Sequence, residues 1–403
     1  MTAASTTPST ALQGVKVICV GQFYFAPYCT MLMARLGADV IKIESPGGDP
    51  YRRGPAVDED GVPFQFQFVN SGKRTIRLDL KHPEGQRILR GLVKNADVVV
   101  QNLSPGALDR FGLGYEQLSE INPRLIMASG TGFGSFGPYA GESAMDLTIQ
   151  ARTALMSTTG FEDGTPVRTG PSVVDFMAGT HILAGVLAAL YQRTVTGRGQ
   201  HVEVALQDAI LPSLTSNIAG LLSPAIDVPE RTGNRHGGMS VAPYNAYPAA
   251  DGWVTVLCPT DTHWERLRTL MDDPAADDPR FATMPGRCAH MDEVDEIVGR
   301  WSKSLSKDEL VSTLKGLKIP SSTVVTLPEL LDDPHVKARG VLRTVTDERG
   351  EFTTLGSPMF LSDSPLIEPT RAGGLGEHTE AVLSEELGMA AEEIDKLRAA
   401  GVI

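Results

Sequence analysis

The sequence predicts an α/β protein, and three observations support that prediction. Apolar β-type runs alternate with segments of helical spacing through the first half of the chain. These runs are apolar almost throughout, as expected for strands of a parallel sheet that is buried on both faces. The chain has 403 residues, of which 41% are hydrophobic and 21% charged, so we expect two domains with sizeable cores.

The first elements form a βαβ unit. Val15–Val20 is a β-type run that is apolar except for Lys16, and Pro27–Leu36 has the spacing of a helix. Ala38–Ile43 is a second largely apolar run that ends at Glu44. A strand, a helix and a second strand in this order predict a parallel pair at the centre of a sheet.

The alternation continues to about residue 222. Further strands are predicted at Arg74–Leu78, Asp97–Val100, Arg124–Ala128, Ser172–Val174 and His201–Ala205. Helices are predicted at Pro83–Val93, Leu147–Met156, Phe176–Arg193 and Gln207–Leu222. Phe176–Arg193 is apolar nearly all round, so we expect this helix to lie in a core.

A change of composition marks a domain boundary. Pro, Gly, Arg and Asn dominate around Ser223–Gly238, and the next section, Trp253–Thr326, has its own strand and charged helices. Val341–Leu361 predicts a hairpin with its turn at Glu348–Glu351, and His378–Ile403 predicts terminal helices. The predicted domains are a large one at residues 1–222, a smaller one with linkers at 223–330, and a C-terminal segment at 331–403.

Charge and cysteine usage exclude several classes of partner. Lys and Arg total 36 against 49 Asp and Glu, a formal net charge of -13 that repels nucleic acid and anionic membranes. The four Cys have neither disulfide-framework nor zinc-ligand spacing, so no metal site is expected. The start lacks the apolar segment of a signal peptide, and the longest apolar run, Ile182–Tyr191, is roughly half a membrane span. We expect a cytoplasmic protein without a nucleic-acid or membrane partner.

A glycine motif follows the strand that ends near Ala128. Gly132–Gly137 fits G-x-G-x-x-G, but a dinucleotide fingerprint must open a helix whose amides receive the pyrophosphate. Pro138–Gly141 follows instead, so we interpret the segment as a loop and do not expect a nicotinamide cofactor. The chain also has no P-loop motif.

Asp175 is the principal candidate for chemistry. It follows Ser172–Val174 and precedes the apolar helix, a position where Asp commonly caps a helix N-terminus. Ligands of open α/β sheets bind at the same position, where the helix dipole helps to keep a nucleophilic carboxylate ionised. The pattern alone leaves both roles open.

Basic and histidine residues supply weaker candidates. Lys73, Arg74 and Arg110 lie close to predicted strand ends, where each is either a phosphate partner or a surface cation, and Asn102–Gly106 could add backbone donors. His181, inside the apolar helix, is interpreted as a hydrogen-bonded core residue, and the role of His236 stays open.

Nine ordered segments resemble the class III coenzyme A transferases, the family of formyl-CoA transferase and carnitine CoA-transferase. They are Leu36–Glu44, Asn70–Leu80, Ala96–Asn102, Pro105–Gly112, Asn122–Ile126, Thr159–Gly160, Thr196–Gln200, Gln207–Ala209 and Leu375–Thr379. The resemblance runs from about Leu12 to Ile403 and implies a large Rossmann-like domain completed by the returning C-terminus, a smaller α+β domain, and an interlocked homodimer.

The resemblance also implies a chemistry. The family's nucleophilic Asp falls at Asp175, which would move coenzyme A from an acyl-CoA donor to a small carboxylic acid through anhydride and thioester intermediates. Coenzyme A is then a substrate, and no tightly bound cofactor is expected. The family's CoA contacts fall at Tyr24, Phe25, Asn70, Ser71, Gly72, Lys73, Asn102, Leu103, Ser104, Arg110, Ser143, Ala144, Met145 and Asp146, with Lys73 and Arg110 as the expected phosphate partners.

Three departures from the formyl-CoA transferase pattern argue against an oxalate acceptor. Tyr24 stands where that enzyme has Gln, Ser45 stands where it has Arg, and its covering glycine run is reduced to Gly237–Gly238. Whether Gly237–Gly238 covers the nucleophile stays open, as do the donor and the acceptor. The alternatives are the related 2-methylacyl-CoA racemase, whose acid/base His is replaced here by Asp146, and a non-catalytic CoA-binding protein.

Overall fold

The computed structural model describes residues 9–58, 61–224 and 227–403, so residues 1–8 of the Ser/Thr/Ala-rich start lie outside the described residues. The chain divides into two compact units. The first comprises residues up to Ile149, Ser172–Ile210 and Asp333–Ile403, and the second comprises Gln150–Pro171 and Leu211–Asp332. Residues 150–171 and 211–222 thus pack with the second unit, whereas the sequence-based bounds place them in the large domain.

A parallel six-stranded sheet forms the centre of the first unit. Its strands are β1 (Lys16–Val20), β2 (Asp39–Glu44), β3 (Arg74–Arg77), β4 (Val98–Gln101), β5 (Ile126–Thr131) and β6 (His201–Ala205). Their order is β3-β2-β1-β4-β5-β6, with every neighbouring pair parallel. This order is the doubly wound one of dinucleotide-binding folds. The predicted α/β class with a parallel sheet is confirmed.

The other strands are antiparallel. In the second unit β7 (Tyr244–Ala249), β8 (Gly252–Leu257) and β9 (Ser321–Thr323) form a three-stranded sheet. In the first unit β10 (Leu342–Asp347) and β11 (Gly350–Leu355) form a hairpin. The hairpin predicted at Val341–Leu361 is therefore confirmed.

Helices connect these strands. They are α1 (Phe25–Arg35), α2 (Phe64–Asn70), α3 (Pro83–Val93), α4 (Tyr115–Ile121), α5 (Asp146–Arg152), α6 (Val173–Thr196), α7 (Leu206–Ile210), α8 (Thr215–Leu222), α9 (Asp261–Met271), α10 (Met284–Ala289), α11 (Met291–Ser302), α12 (Lys307–Gly316), α13 (Leu327–Asp332), α14 (Pro334–Arg339), α15 (Thr379–Leu387) and α16 (Ala391–Ala399). The sequence did not predict α2 and α4, which are two turns each and offer little periodicity to detect.

Two sequence-based elements were wrong. The strand predicted at Ser172–Val174 is the start of α6, because the amide of Val174 is held by a distant carboxylate rather than by a neighbouring strand. The single helix predicted at Gln207–Leu222 is interrupted by a 3₁₀ turn at Leu211–Leu214 that contains Pro212. Proline cannot donate a helical hydrogen bond and clashes with the preceding turn.

The core of the first unit includes the C-terminus. Val402 and Ile403 are buried in the same cluster as strand residues such as Ile41 and Val99. The amide of Asp79 donates to the carbonyl of Val402 at 2.8 Å, which fixes the chain end beside β3. Because parallel strands are covered on both faces, this returning segment supplies apolar surface that the N-terminal half needs.

Helix α6 departs from the prediction in one respect. It packs on α1, β5 and β6, yet 39% of its most apolar window is buried, and Tyr191 and Val195 are largely exposed. By length and composition alone α6 could span a membrane, but a single helix of this kind is weak evidence for a membrane protein. The predicted core helix is therefore covered on only part of its surface in the single chain.

Candidate active site

A cavity of about 410 Å³ opens where the strand order reverses between β1 and β4. The chain leaves β1 toward β2 and leaves β4 toward β5, so the two loops diverge and leave a crevice at the carboxyl ends of the strands. The cavity is lined by Gln22, Phe23, Phe25, Asn102, Leu103, Ser104, Pro105, Ala107, Arg110, Gly130, Thr131, Gly132, Glu142, Ser143, Ala144, Met145, Asp175 and Leu206.

Asn102 holds the two diverging loops together. Its side-chain oxygen accepts from the amide of Gln22 at 2.8 Å, and its side-chain nitrogen donates to the carbonyl of Gln22 at 2.9 Å. Both polar ends of this amide are thus used within the protein. Asn102 lines the cavity as the resemblance implies, but its side chain fixes the loop after β1.

Glycines at the end of β5 allow the cavity walls to approach. A Cβ at Gly130 would lie 2.3 Å from a ring carbon of Phe25, and one at Gly132 would lie 2.2 Å from the Cβ of Ala144. Such contacts are too short for any side chain, so only glycine permits this packing. Gly132–Gly137 is a loop, as predicted, since the next helix is α5.

Asp175 lies on the first turn of α6, half-buried, and lines the cavity. Within the described part of the chain its carboxylate accepts no hydrogen bond. Gly179, one turn later, brings the helix close to α1, because a Cβ there would meet the carbonyl of Phe25 at 2.9 Å. The close packing of two helices therefore places a carboxylate without a donor at the cavity wall.

Asp146, not Asp175, caps helix α6. The Asp146 carboxylate accepts from the amide of Val174 at 3.0 Å and from the amide of Asp175 at 3.4 Å, while Ser172 makes no capping bond. A carboxylate at this position satisfies amides that the helix itself leaves unpaired. Asp175 is thereby free of the capping role that its sequence position suggested.

Two effects raise the pKa of Asp175 to about 7, burial first and the negative charge of Asp146 second. Burial disfavours the ionised carboxylate, and a neighbouring carboxylate repels it. A carboxyl group that titrates near neutral pH in a cavity is a common property of catalytic sites.

Arg110 is the exposed cation of the cavity. Its guanidinium donates to the carbonyl of Pro105 at 3.3 Å and otherwise faces solvent. Leu103, Ser104 and Pro105 precede it on the loop after β4, so the cation and this loop form one wall. That arrangement suits an anion such as a phosphate.

The segment Asn70–Lys73 lies elsewhere. The Lys73 ammonium is buried and donates to the carbonyl of Pro27 at 2.8 Å and to the Asn70 side chain at 3.0 Å. Burial lowers the pKa of Lys73 to about 7. The Ser71 hydroxyl accepts from Arg35 at 2.5 Å and bonds Thr354 at 2.8 Å. Two of the three donors of this ammonium are thus used within the protein, and Lys73 is not among the residues that line the cavity. Its role as a phosphate partner stays a prediction.

Gly72 and Tyr24 complete the set of residues that the resemblance implies. Gly72 adopts φ +81° beside Arg35, which is a structural requirement of the same buried turn. The ring of Tyr24 packs on Tyr51 and Phe176, outside the cavity lining. Of the residues expected to contact CoA, the cavity brings together Phe25, Asn102, Leu103, Ser104, Arg110, Ser143, Ala144 and Met145 with Asp175.

Sequence reasoning missed several cavity residues. Gln22, Phe23 and Thr131 directly follow or end β1 and β5, and the rule that ligands bind at strand carboxyl ends could have found them. Glu142 and Leu206 line the cavity from a loop and a helix start that carry no such signal.

The histidines singled out by the sequence lie outside the cavity lining. His181 is exposed and its Nδ1 bonds the Met177 carbonyl at 2.8 Å, so the hydrogen bond is confirmed and the core position is wrong. His236 and Gly237–Gly238 lie in the second unit, where the His236 ring nitrogen accepts from the amide of Gly238 at 3.2 Å.

A doubly wound sheet with a cavity at its switch point, lined by a half-buried carboxylate and an exposed cation, is typical of an α/β protein that binds an anionic ligand. The family model described as "CoA-transferase family III" matches residues 12–379 of this chain. The chain belongs to this family, and it is an enzyme of the family III CoA-transferase class.

Relatives and solved structures agree with that assignment. The chain is 38% identical to a formyl-CoA:oxalate CoA-transferase of Streptomyces coelicolor over 98% of this chain and 99% of the relative. It is 35% identical to a succinyl-CoA–D-citramalate CoA-transferase of Chloroflexus aurantiacus, over 99% of this chain and 100% of the relative. The structure of a CAIB/BAIF family protein from Brucella suis superposes with a TM-score of 0.82 at 35% identity, covering 94% of this chain and 100% of that one.

Proposed function

We propose that this enzyme transfers coenzyme A from an acyl-CoA to a carboxylic acid through covalent intermediates on Asp175. The observation that carries the proposal is the Asp175 carboxylate, which lines the cavity without a hydrogen-bond donor from the described residues. A carboxylate whose oxygens accept structural hydrogen bonds is a poor nucleophile toward a thioester. The Asp146 carboxylate accepts the hydrogen bonds of the first α6 amides, so Asp175 does not have to cap the helix.

The exchange has four balanced steps. An Asp175 oxygen attacks the donor thioester, the carbon–sulfur bond breaks, and an anhydride and CoA thiolate result. The thiolate attacks the aspartyl carbon, forms an aspartyl-CoA thioester and releases the donor acid. The acceptor carboxylate then attacks that carbon and expels the thiolate, which finally attacks the acceptor carbonyl, yields the new acyl-CoA and restores Asp175.

The cavity walls support these steps. Arg110 and the loop Asn102–Ser104 would hold the phosphate-bearing end of CoA, and the apolar groups of Phe25, Ala144 and Met145 would exclude water. Exclusion of water matters because an anhydride hydrolyses readily. The overall charge of -13 makes such a local cation necessary for an anionic substrate.

The racemase alternative requires an acid/base pair beside the nucleophile. Asp146 stands where the racemase has its His, and its carboxylate accepts hydrogen bonds from the first amides of α6. No His lines the cavity among the described residues. Transfer is therefore the better supported function.

The exposed apolar side chains of α6 support the expectation of a homodimer, since a second chain would cover Tyr191 and Val195. A cytoplasmic location is proposed because it fits a substrate as large and charged as coenzyme A.

A mass-spectrometric screen tests the function. The enzyme is incubated with an acyl-CoA and a panel of carboxylic acids, and new thioesters are sought. Hydroxylamine added during turnover should convert the anhydride to a hydroxamate on the peptide that contains Asp175. A tag on another residue, or new thioesters formed equally by Asp175→Asn, would contradict the mechanism.

A further inference from the structure

Four aromatic rings form an arc beside the nucleophile. We call Phe23, Tyr24, Tyr51 and Phe176 the aromatic arc. Phe176 follows Asp175 in α6, and its ring centroid lies 5.1 Å from that of Tyr24. Tyr24 lies 4.6 Å from Tyr51, and Tyr51 lies 5.3 Å from Phe23. Phe23 lines the cavity together with Asp175, so this end of the arc lies at the cavity wall, and Phe176 at the other end follows Asp175 in the chain.

The arc is an accessible surface rather than a core. All four side chains are half-buried, whereas the neighbouring Phe25, Ala26 and Pro27 are fully buried. The half-buried rings meet at interplanar angles between 34° and 88°, so they form an angled, largely apolar surface. Such a surface favours planar or branched apolar groups of a ligand.

Phe23 is held in an unusual conformation. Its φ is +60°, in the left-handed region that bulky residues rarely adopt. The paired hydrogen bonds from Asn102 to the backbone of Gln22 fix the preceding residue. Backbone conformations of this kind are concentrated at ligand sites, where the surrounding structure enforces them. Here the enforced conformation orients Phe23 toward both Tyr51 and the cavity.

The cations next to Tyr51 are already engaged. Arg52 donates twice to the Glu44 carboxylate, at 2.6 Å each, and its guanidinium lies 3.8 Å from the ring centre of Phe66. The buried Lys42 pairs with Asp49 at 2.9 Å. Arg53 is exposed and donates to the carbonyl of Gly47. A second carboxylate on the acyl group would meet no unengaged buried cation in this part of the described chain.

The hydroxyl of Tyr51 is neutral. Burial raises the pKa of Tyr51, and the hydroxyl of Tyr24 and the negative charge of Asp175 raise it further. Tyr51 therefore brings no charge to the surface that an apolar group would contact.

We propose that the aromatic arc binds the acyl group that is carried to Asp175, and that it selects acids with an apolar ring or branched body and one carboxylate. This inference rests on the proposed transfer function and adds its substrate class. That class differs from the small dicarboxylates in the names of the relatives from Streptomyces coelicolor and Chloroflexus aurantiacus.

Acylation of the enzyme provides a direct test that needs no acceptor. The Asp175 oxygen attacks the thioester, the carbon–sulfur bond breaks, and a thiol reagent present during the reaction captures and reports the CoA thiolate before it can attack the aspartyl carbon. Hydroxylamine cleaves the anhydride so that a hydroxamate remains at Asp175 for mass spectrometry. The probes are phenylacetyl-CoA, 2-methylbutyryl-CoA, succinyl-CoA and oxalyl-CoA, and Asp175→Asn gives the background of direct hydroxylaminolysis.

The first two probes should acylate Asp175 with kcat/KM about tenfold or more above the other two, because apolar contacts in a pocket discriminate by this order. Tyr51→Ala should lower kcat/KM for phenylacetyl-CoA about tenfold and for oxalyl-CoA less than twofold, with CoA binding retained. Tyr51→Phe keeps the ring and should lower kcat/KM no more than about twofold. Tyr115→Phe serves as the control, because the Tyr115 ring stacks on His201 and is not part of the aromatic arc.

The outcomes separate the two proposals. If no probe tags Asp175, the transfer function itself is wrong. If Asp175 is tagged but succinyl-CoA or oxalyl-CoA reacts faster, the proposed substrate class is wrong while the function stands. If Tyr51→Ala slows all four probes equally, the arc has only a structural role and the inference fails.

Discussion

The loop after β4 and the turn before β3 make an instructive comparison. Both were expected to contact coenzyme A, and both carry a polar Asn, a Ser and a nearby cation. In the structure the first loop lines the cavity with Arg110 exposed, whereas the second is a buried polar cluster around Arg35 and Lys73. The same residue types thus line an open cavity in one place and satisfy the protein's own polar groups in the other.

The cause is the sheet order. The loop after β4 leaves a strand at its carboxyl end, beside the switch point, where the backbone diverges. The turn at Asn70–Lys73 enters β3 at its amino end, and β3 is the edge strand of the sheet. Resemblance transfers residue identities, but the end of the strand at which a residue lies determines whether it faces the crevice.

The largest expected effect is at Asp175. Asp175→Asn should lower transfer by roughly 10³-fold or more, because a neutral amide cannot form the anhydride. CoA binding, measured by isothermal titration, should be retained. A variant with more than a tenth of wild-type activity would remove the nucleophile from the mechanism.

The same variant should change the pH dependence of stability. The folded-state pKa of Asp175 is about 7 against an ordinary 3.8, so ionisation costs stability as pH rises from about 4 to 7. Asp175→Asn removes that cost, and its Tm should exceed that of the wild type by more at pH 8 than at pH 5. A larger gain at pH 5 would contradict the direction of the pKa shift.

The pH profile of acylation is the next largest effect. The attacking group must be ionised, so kcat/KM should fall about tenfold for each pH unit below 7 and level off above it. Thiol release from one acyl-CoA between pH 5 and pH 9 measures this. A profile that is flat down to pH 5 would indicate an ordinary carboxyl group and would contradict the environment of Asp175.

Arg110 tests the exposed half of the comparison. Arg110→Ala should raise KM for acyl-CoA about five- to tenfold with kcat and Tm nearly unchanged, since it removes a phosphate contact and no internal carboxylate pair. Arg198→Ala is the control, because this exposed residue precedes β6 at the opposite end of the parallel sheet. Equal KM values for the two variants would exclude the phosphate role.

Lys73 tests the buried half and should show the smallest effect on activity. Lys73→Met removes the donor of the Asn70 side-chain oxygen and leaves the Pro27 carbonyl with the Thr30 hydroxyl, which costs about 1–3 kcal/mol of unfolding free energy. Denaturant unfolding should detect that loss, while KM for acyl-CoA should change less than twofold. A KM increase as large as that of Arg110→Ala would show that Lys73 does reach the substrate.

The sequence predicted much of the fold because local patterns determined it. Largely apolar runs identified β1, β2, β4 and β5, alternation identified β6, and the spacing of α1 and α3 identified their helices. The failures have long-range causes, such as the Asp146 carboxylate that turns Val173–Val174 into the first turn of α6. The short helices α2 and α4 gave too few residues for a periodic signal.

For the site, the sequence by itself determined the candidate nucleophile, the family and most of the cavity-lining loops, because these depend on residue identity and order. Only the tertiary structure decided which carboxylate caps α6, which cation stays exposed and which rings stand beside Asp175. Those properties depend on neighbours far apart in sequence, such as Tyr24 and Phe176, whose contact exists only once the sheet has placed β1 beside β4 and α6 against α1. Burial and charge, which set the pKa of Asp175, arise from that same packing.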